Sequence, residues 1–263
     1  MATASPSKRR RVADQAAATA PLTTGHNALL PPPGVTPHTL ILGTHPSVAS
    51  LAHAEYYGHR MNAFWWIAGA SLGFTRGRHL APANIAPHLP SGHAMLPYHH
   101  QCAALTAKGF VVWDVLGSCR RRGSLDASIA EKDRAPNDIV GFLAKHPTIQ
   151  RICFSSGSTT AKLFLQHNRS WLASTTRQLE LADNPQTVRV FGKQKWAMKG
   201  HSDSEVATDA DGLAPLVLCV MLSVSPAFAN PAHGGTFPDK LAQWKADCYE
   251  PGIQLHKKLQ KSV

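Results

Sequence analysis

No apolar run in the chain approaches the roughly 18 to 20 residues that a bilayer-crossing helix needs. The longest candidate, Leu213 to Val224, has the length of a buried strand. The N-terminus lacks the apolar core of a secretory signal, so neither a membrane role nor export by that route is expected. Cysteines are few: Cys102, Cys119, Cys153, Cys219 and Cys248 are odd in number and include no Cys-x-x-Cys pair. They read as reduced thiols of an intracellular protein rather than a disulfide framework. Fifteen histidines raise the question of a metal, yet "YHHQC" (98–102) has no second ligand pair at zinc spacing, and no metal site is expected. Acidic residues are scarce as well, 16 Asp and Glu against 27 Lys and Arg, giving +11 with His neutral and a pI near 9.7. An anionic partner is the first expectation from that imbalance.

What is present is enough chain for one large domain: 263 residues, 43% hydrophobic and 16% charged, with no internal repeat. Residues 1–36 mix Ala, Thr, Ser and Pro and end in "LLPPPGVTP", a composition that predicts a disordered basic tail. Within it "SPSKRRRV" clusters Lys8, Arg9, Arg10 and Arg11 in the manner of a nuclear import signal, with the mitochondrion as the other destination to consider. From residue 37, continuous apolar runs at 38–43, 110–116, 149–155 and 215–224, with "VRVFG" (188–192) as a weaker fifth, alternate with helix-like stretches at 62–72, 98–108, 124–131, 136–145, 158–182 and 238–248. Continuous rather than alternating strands are covered on both faces, which predicts an α/β domain over 37–250 with a short, mainly parallel central sheet between two helical layers. Stretches 76–96 and 193–212 break the rhythm and read as surface insertions, and 251–263 reads as a basic C-terminal tail.

In open parallel sheets, functional groups gather where the carboxyl ends of strands meet loops. Three small, polar loops directly follow predicted strands: Gly43-Thr44-His45-Pro46, Ser155-Ser156-Gly157 and Ser223-Val224-Ser225-Pro226. Gly43 permits close approach of a ligand to backbone, and His45 is a group able to exchange a proton near neutral pH. Asn62 stands just before "AFWWIAGASLG" and is either the cap of that helix or an amide free to align a water molecule. Tyr57 and Phe64 are the rings best placed to stack on a flat heterocycle. "SSGSTTAKLF" (155–164) lacks the spacing and the Gly-Lys-Ser/Thr ending of a nucleotide-triphosphate loop. After the strand candidate at 110–116, "SCRRRGSLD" places Arg120, Arg121 and Arg122 together, either as a solvated loop or as contacts to phosphate.

The order of "GTHPSVASL", "YYGHRMNAFW", "GFVVWDVLGSCRRRGSLDASI", "FSSGSTTAKLF" and "SVSPAFA" resembles the uracil-DNA glycosylase superfamily, and within it the hypoxanthine-DNA (deoxyinosine) glycosylase branch. The resemblance covers residues 38 to 248. It implies a three-layer α/β/α domain, no cofactor, and DNA carrying a deaminated base as partner, the protein acting as a monomer that cuts the N-glycosidic bond and leaves an abasic site. It places Asn62 in catalysis and gives His45 a supporting role at the leaving group. Base binding falls to Gly43, Thr44, Tyr57, Phe64, Ser156 and Gly157, and DNA binding to Ser47, Arg120, Arg121, Arg122, Ser223, Ser225 and Pro226. Three places depart from the related sequences: His45 replaces the catalytic Asn of the mismatch-uracil branch, Arg60-Met61 stands where the family shows His-Pro related text with His59 retained, and Ser156 replaces the usual base-reading Asn. A uracil or mismatch-specific uracil glycosylase, a catalytically silent DNA-binding relative and a hydrolase of free nucleosides are the alternatives.

Overall fold

A computed structural model describes residues 19–194 and 212–261. The strands are β1 (Leu22–Thr24), β2 (Thr39–Gly43), β3 (Phe74–Thr75), β4 (Ala94–Met95), β5 (Phe110–Asp114), β6 (Leu116–Arg120), β7 (Ala135–Pro136), β8 (Arg151–Phe154), β9 (Leu179–Leu181) and β10 (Leu216–Val220). The helices are α1 (Val48–His53), α2 (Phe64–Leu72), α3 (Tyr98–Thr106), α4 (Ile139–Lys145), α5 (Ser158–His167), α6 (Arg169–Ser174), α7 (Pro185–Phe191), α8 (Phe237–Trp244) and α9 (Glu250–Gln260).

The central sheet runs β5-β2-β8-β10-β9 with every neighbouring pair parallel. Its side chains divide by the two-residue period of a strand. Leu40, Leu42, Ile152, Phe154, Leu218 and Val220 face a core built with Ile139 and Leu143 of α4, Phe164 of α5, Leu172 of α6 and Phe191 of α7. Ile41, Val112, Cys153 and Cys219 face the opposite core with Phe64 to Ala68 of α2, Leu105 of α3, Trp244 of α8 and Tyr249. The domain is thus the expected α/β/α sandwich, and strands apolar on both faces are what such a sandwich requires.

Four expectations are corrected. Residues 19–36 are not a structureless tail: β1 pairs antiparallel with β6, Leu29 and Val112 exchange backbone hydrogen bonds along the open edge of β5, and Tyr56 donates to His26 and Asn27 carbonyls. The stretch 188–192 belongs to helix α7, because Asn184 caps it by accepting from Thr187 N–H at 2.8 Å and Pro185 takes the first turn, where its missing N–H costs nothing. Val190 and Phe191 then face the core while Val188 faces solvent. The fifth strand is instead β9, hidden inside the span 158–182 that reads as helical. Finally, 251–260 continues a helix: a five-residue π turn (Lys245–Tyr249) joins α8 to α9, and Gly252 sits so close to the sheet that a Cβ there would lie 2.5 Å from the Phe110 ring.

The stretch 76–96 carries two short 3-10 turns and strand β4, which pairs with β3 just before it, and buries Ile85 and Leu89 against the core, so it is a folded excursion. Residues 195–211 of the other insertion, and the basic cluster at 8–11, lie outside the described residues.

Candidate active site

The carboxyl ends of β2, β5, β8 and β10 open into one cleft of about 930 Å³. Its walls include Gly43, Thr44, His45, Tyr57, Asn62, Ser156, Gly157, Ser223, Ser225 and Pro226. Parallel strands all point the same way, so the loops that follow them must share an edge. Two backbone bonds lace the walls together: Val224 N–H donates to Ser155 O at 3.1 Å, and Ala63 N–H donates to Val224 O at 3.0 Å.

Asn62 lies one residue ahead of the α2 cap, Ala63, and its Oδ1 accepts from Phe64 N–H at 2.9 Å. Cap and cleft roles therefore coexist. The bond fixes the amide orientation, and an amide oxygen keeps a second lone pair for another partner. Tyr57 holds a left-handed backbone (φ 52°), rare for a bulky residue. It is braced by a 2.8 Å hydrogen bond between its hydroxyl and Ser155 Oγ and by stacking on Phe64, ring centroids 4.1 Å apart. Tyr57 therefore gives the cleft its aromatic face, and Phe64, fully buried behind it, supports that ring rather than touching a ligand.

His45 is buried, with Nε2 2.9 Å from Thr23 Oγ1 and Nδ1 3.2 Å from Leu116 O. Burial, chiefly, lowers its pKa to about 4, with Arg121 and His26 adding to the effect and the Leu116 carbonyl opposing it. A neutral ring with both nitrogens engaged by protein is a strut for the loop, and the supporting proton-transfer role expected for His45 has no free nitrogen to use. Thr44 is spent similarly: its hydroxyl donates to Asp126 Oδ2 at 2.8 Å and meets Thr160 Oγ1 at 2.7 Å, leaving its backbone to the cleft.

The arginine run divides. Arg121 is buried, donating to the Pro46 carbonyl and to Gly123 O, and lying 3.5 Å from Asp126 Oδ1. Arg120 bonds Asp133 at 3.1 Å and Ala20 O at 2.8 Å. Only Arg122 is exposed, so phosphate contact from this run narrows to one residue. Ser47 is half-buried on the cleft wall, where its Oγ accepts from Ser50 N–H at 3.1 Å as the cap of α1. Ser223, Ser225 and Pro226 do border the opening, in a loop fastened from beneath by buried Lys240, whose Nζ donates to Ser225 O and Phe228 O.

Several site residues were not anticipated. Gln186 and Arg189 reach the rim from α7, out of sight while 188–192 was read as strand. Asp114 ends β5 opposite Gly43 and lines the cleft at 3% exposure. Its signal was in "FVVWD", an acidic residue closing an apolar strand that opens onto the sheet edge. Burial raises its pKa to about 8; nearby Asp126 raises it further and Arg121 opposes both. Among the described residues no His, Cys, Asp and Glu group is arranged to hold a metal ion.

Two curated proteins named "Hypoxanthine DNA glycosylase" are similar to this chain. One, from Methanosarcina acetivorans, is 28% identical over 116 residues, 44% of this chain and 61% of that protein. The other, from Methanosarcina barkeri, is 30% identical over 117 residues, 40% of this chain and 63% of that protein. The chain is related to these hypoxanthine DNA glycosylases. It spans about three fifths of their length. No protein-family model matches the sequence. A solution NMR structure of a candidate uracil DNA glycosylase from Methanosarcina acetivorans aligns with a TM-score of 0.49 at 19% identity, covering 89% of this chain and 99% of that one.

Proposed function

We propose that the protein is a DNA glycosylase that hydrolyses the N-glycosidic bond of a deaminated base, hypoxanthine foremost, leaving an abasic site. The observation that carries this reading is the convergence of Asn62, the Tyr57 ring and the small-residue loops on a single cleft, in a chain related to proteins of that name. The net charge of +11 suits a polyanionic partner. Arg189 and the Ser223 to Pro226 loop border the opening where a duplex would lie, exposed Arg122 remains available to phosphate, and the target nucleotide would swing out of the stack into the cleft.

Inside, one face of Tyr57 stacks on the base while Phe64 holds the other. Backbone amides of the first loop and of Ser156 meet the base edge and the charge it gains on leaving, while Gly157 N–H is held by Phe154 O at 3.3 Å. Asn62, through the free lone pair of Oδ1, orients water toward the anomeric carbon, whose positive character needs alignment more than a strong base. On the same reading, Lys8 to Arg11 serve nuclear import, which a tagged protein with those four residues changed to Ala would test by loss of nuclear accumulation.

The test is single-turnover cleavage of matched duplexes containing hypoxanthine, uracil, xanthine or no lesion, followed by alkaline scission of abasic sites. Cleavage is expected for hypoxanthine, and Asn62→Ala should slow it on the order of 100-fold. Faster cleavage of uracil would reassign the substrate to the uracil branch. No cleavage of any duplex would refute the assignment.

A further inference from the structure

Asp114 is more deeply enclosed than a solvent-facing acid and less satisfied than a structural one. Buried carboxylates normally have their oxygens hydrogen-bonded, yet Oδ2 of Asp114 is buried with no partner. The one bond Asn137 makes to this residue, at 2.9 Å, goes to the backbone carbonyl and leaves the carboxyl alone. The neighbouring strand gives way to it: Gly43 is paired with Asp114 in register, and a Cβ at Gly43 would lie 2.2 Å from Oδ1 and 3.3 Å from the Tyr57 hydroxyl. A carboxyl thus sits on the floor of the cleft beside the stacking ring, in a space kept open by the absence of a side chain.

We propose that Asp114 is a catalytic acid and then base in the glycosidic cleavage, a role that rests on the glycosylase reading. As the bond from the sugar C1′ to the base nitrogen breaks, its electron pair moves to the base and the Asp114 carboxyl proton passes to the base. Water positioned by Asn62 then bonds through oxygen to C1′, and its surplus proton goes to the Asp114 carboxylate, restoring the acid. Atoms and charge balance over the cycle, with water the only co-reactant.

Groups facing this carboxyl fit that cycle. Tyr56 and Tyr57 from the segment before α2 have hydroxyls held protonated by burial and by Asp114 itself. Asp126 from the loop after β6 disfavours a second negative charge, while Arg121, just past β6, favours it; Cys119 on β6 has its thiol held protonated, first by burial. The acid form is therefore the resting form near neutrality, which is what leaving-group protonation requires.

The experiment is the pH dependence of single-turnover hypoxanthine release by wild type and Asp114→Asn. Wild type should hold its rate below about pH 8 and lose about tenfold per pH unit above it, as the acid form is depleted. The variant should fall on the order of 100-fold and lose that descending limb, while binding undamaged duplex as wild type does. A wild-type rate that stays level to pH 9.5, or a folded variant within threefold of wild type, overturns the role and leaves the glycosylase reading standing. The wild-type profile decides even if the variant does not fold. Wild type inactive on every lesion duplex overturns both.

Discussion

Replacing Gly43 with Ala exchanges one hydrogen for a methyl group at a tight point of the cleft. Gly43 does not use a left-handed backbone, so Ala is conformationally acceptable and only space is at issue. The new Cβ would stand 2.2 Å from Asp114 Oδ1, whereas ordinary contact begins at 3.4 Å. The backbones cannot part without disturbing the parallel ladder from Thr39↔Phe110 to Gly43↔Asp114, so the carboxyl must retreat by roughly 1 Å. Overpacking of this kind costs about 1–3 kcal/mol, and displacing a reacting group by about 1 Å costs on the order of 100-fold in rate. Duplex affinity, set by the rim, should stay unchanged. The assay is single-turnover cleavage with urea unfolding of Gly43→Ala, measured in the wild-type and Asp114→Ala backgrounds. If the clash is the cause, most of the stability cost disappears once the carboxyl is gone. Equal cost in both backgrounds, or cleavage within threefold of wild type, would refute the reasoning.

Acid should unfold the protein through its buried histidines. His38, like His45, has a pKa lowered to about 4, mainly by burial. The unfolded chain takes up those protons near 6.5, so it binds more protons than the folded state between the two values. Stability present at pH 7 is then lost as pH falls from about 6.5 to 4, up to about 3 kcal/mol per histidine. Asp114 has the opposite sign, since the folded state holds its proton up to about pH 8 and stability declines as pH rises toward that value. Urea midpoints at pH 7 and pH 4.5 check the first effect; equal midpoints would contradict it. Lys240→Met should loosen the Ser223 to Phe228 loop by orphaning two carbonyls. A loss of about 1–3 kcal/mol and weaker lesion-duplex binding are expected, read by urea titration and equilibrium binding, and no change in either would argue against the clamp.

Much of the frame was legible in the sequence because long-range order and local pattern agree there. Four of the central strands announce themselves as unbroken apolar runs, and the loops that follow them land on one edge in the structure. The failures have local causes. β9 is three residues long between two helical stretches, too short for a period to register. "VRVFG" carries the β-branched residues of a strand, but the Asn184-Pro185 start outweighs that preference. The proline-rich stretch before residue 37 folds because its backbone finds partners on β5 and β6, which composition cannot report. In the site, residue types were visible while their directions were not. Arg121, Thr44 and His45 point into the protein, and Asp114 was noticed only as part of a motif.

The strand order has a consequence for how the protein is made. β10 lies between β8 and β9 although the ribosome produces it after both. Until residue 220 has emerged, β8 presents an open edge and β9 has no strand to join. Pairings this distant along the chain are slow to form and leave sticky edges uncovered meanwhile. The Ser223 to Phe228 wall is made later still, so a nascent chain carries Asn62 long before the cleft around it is complete.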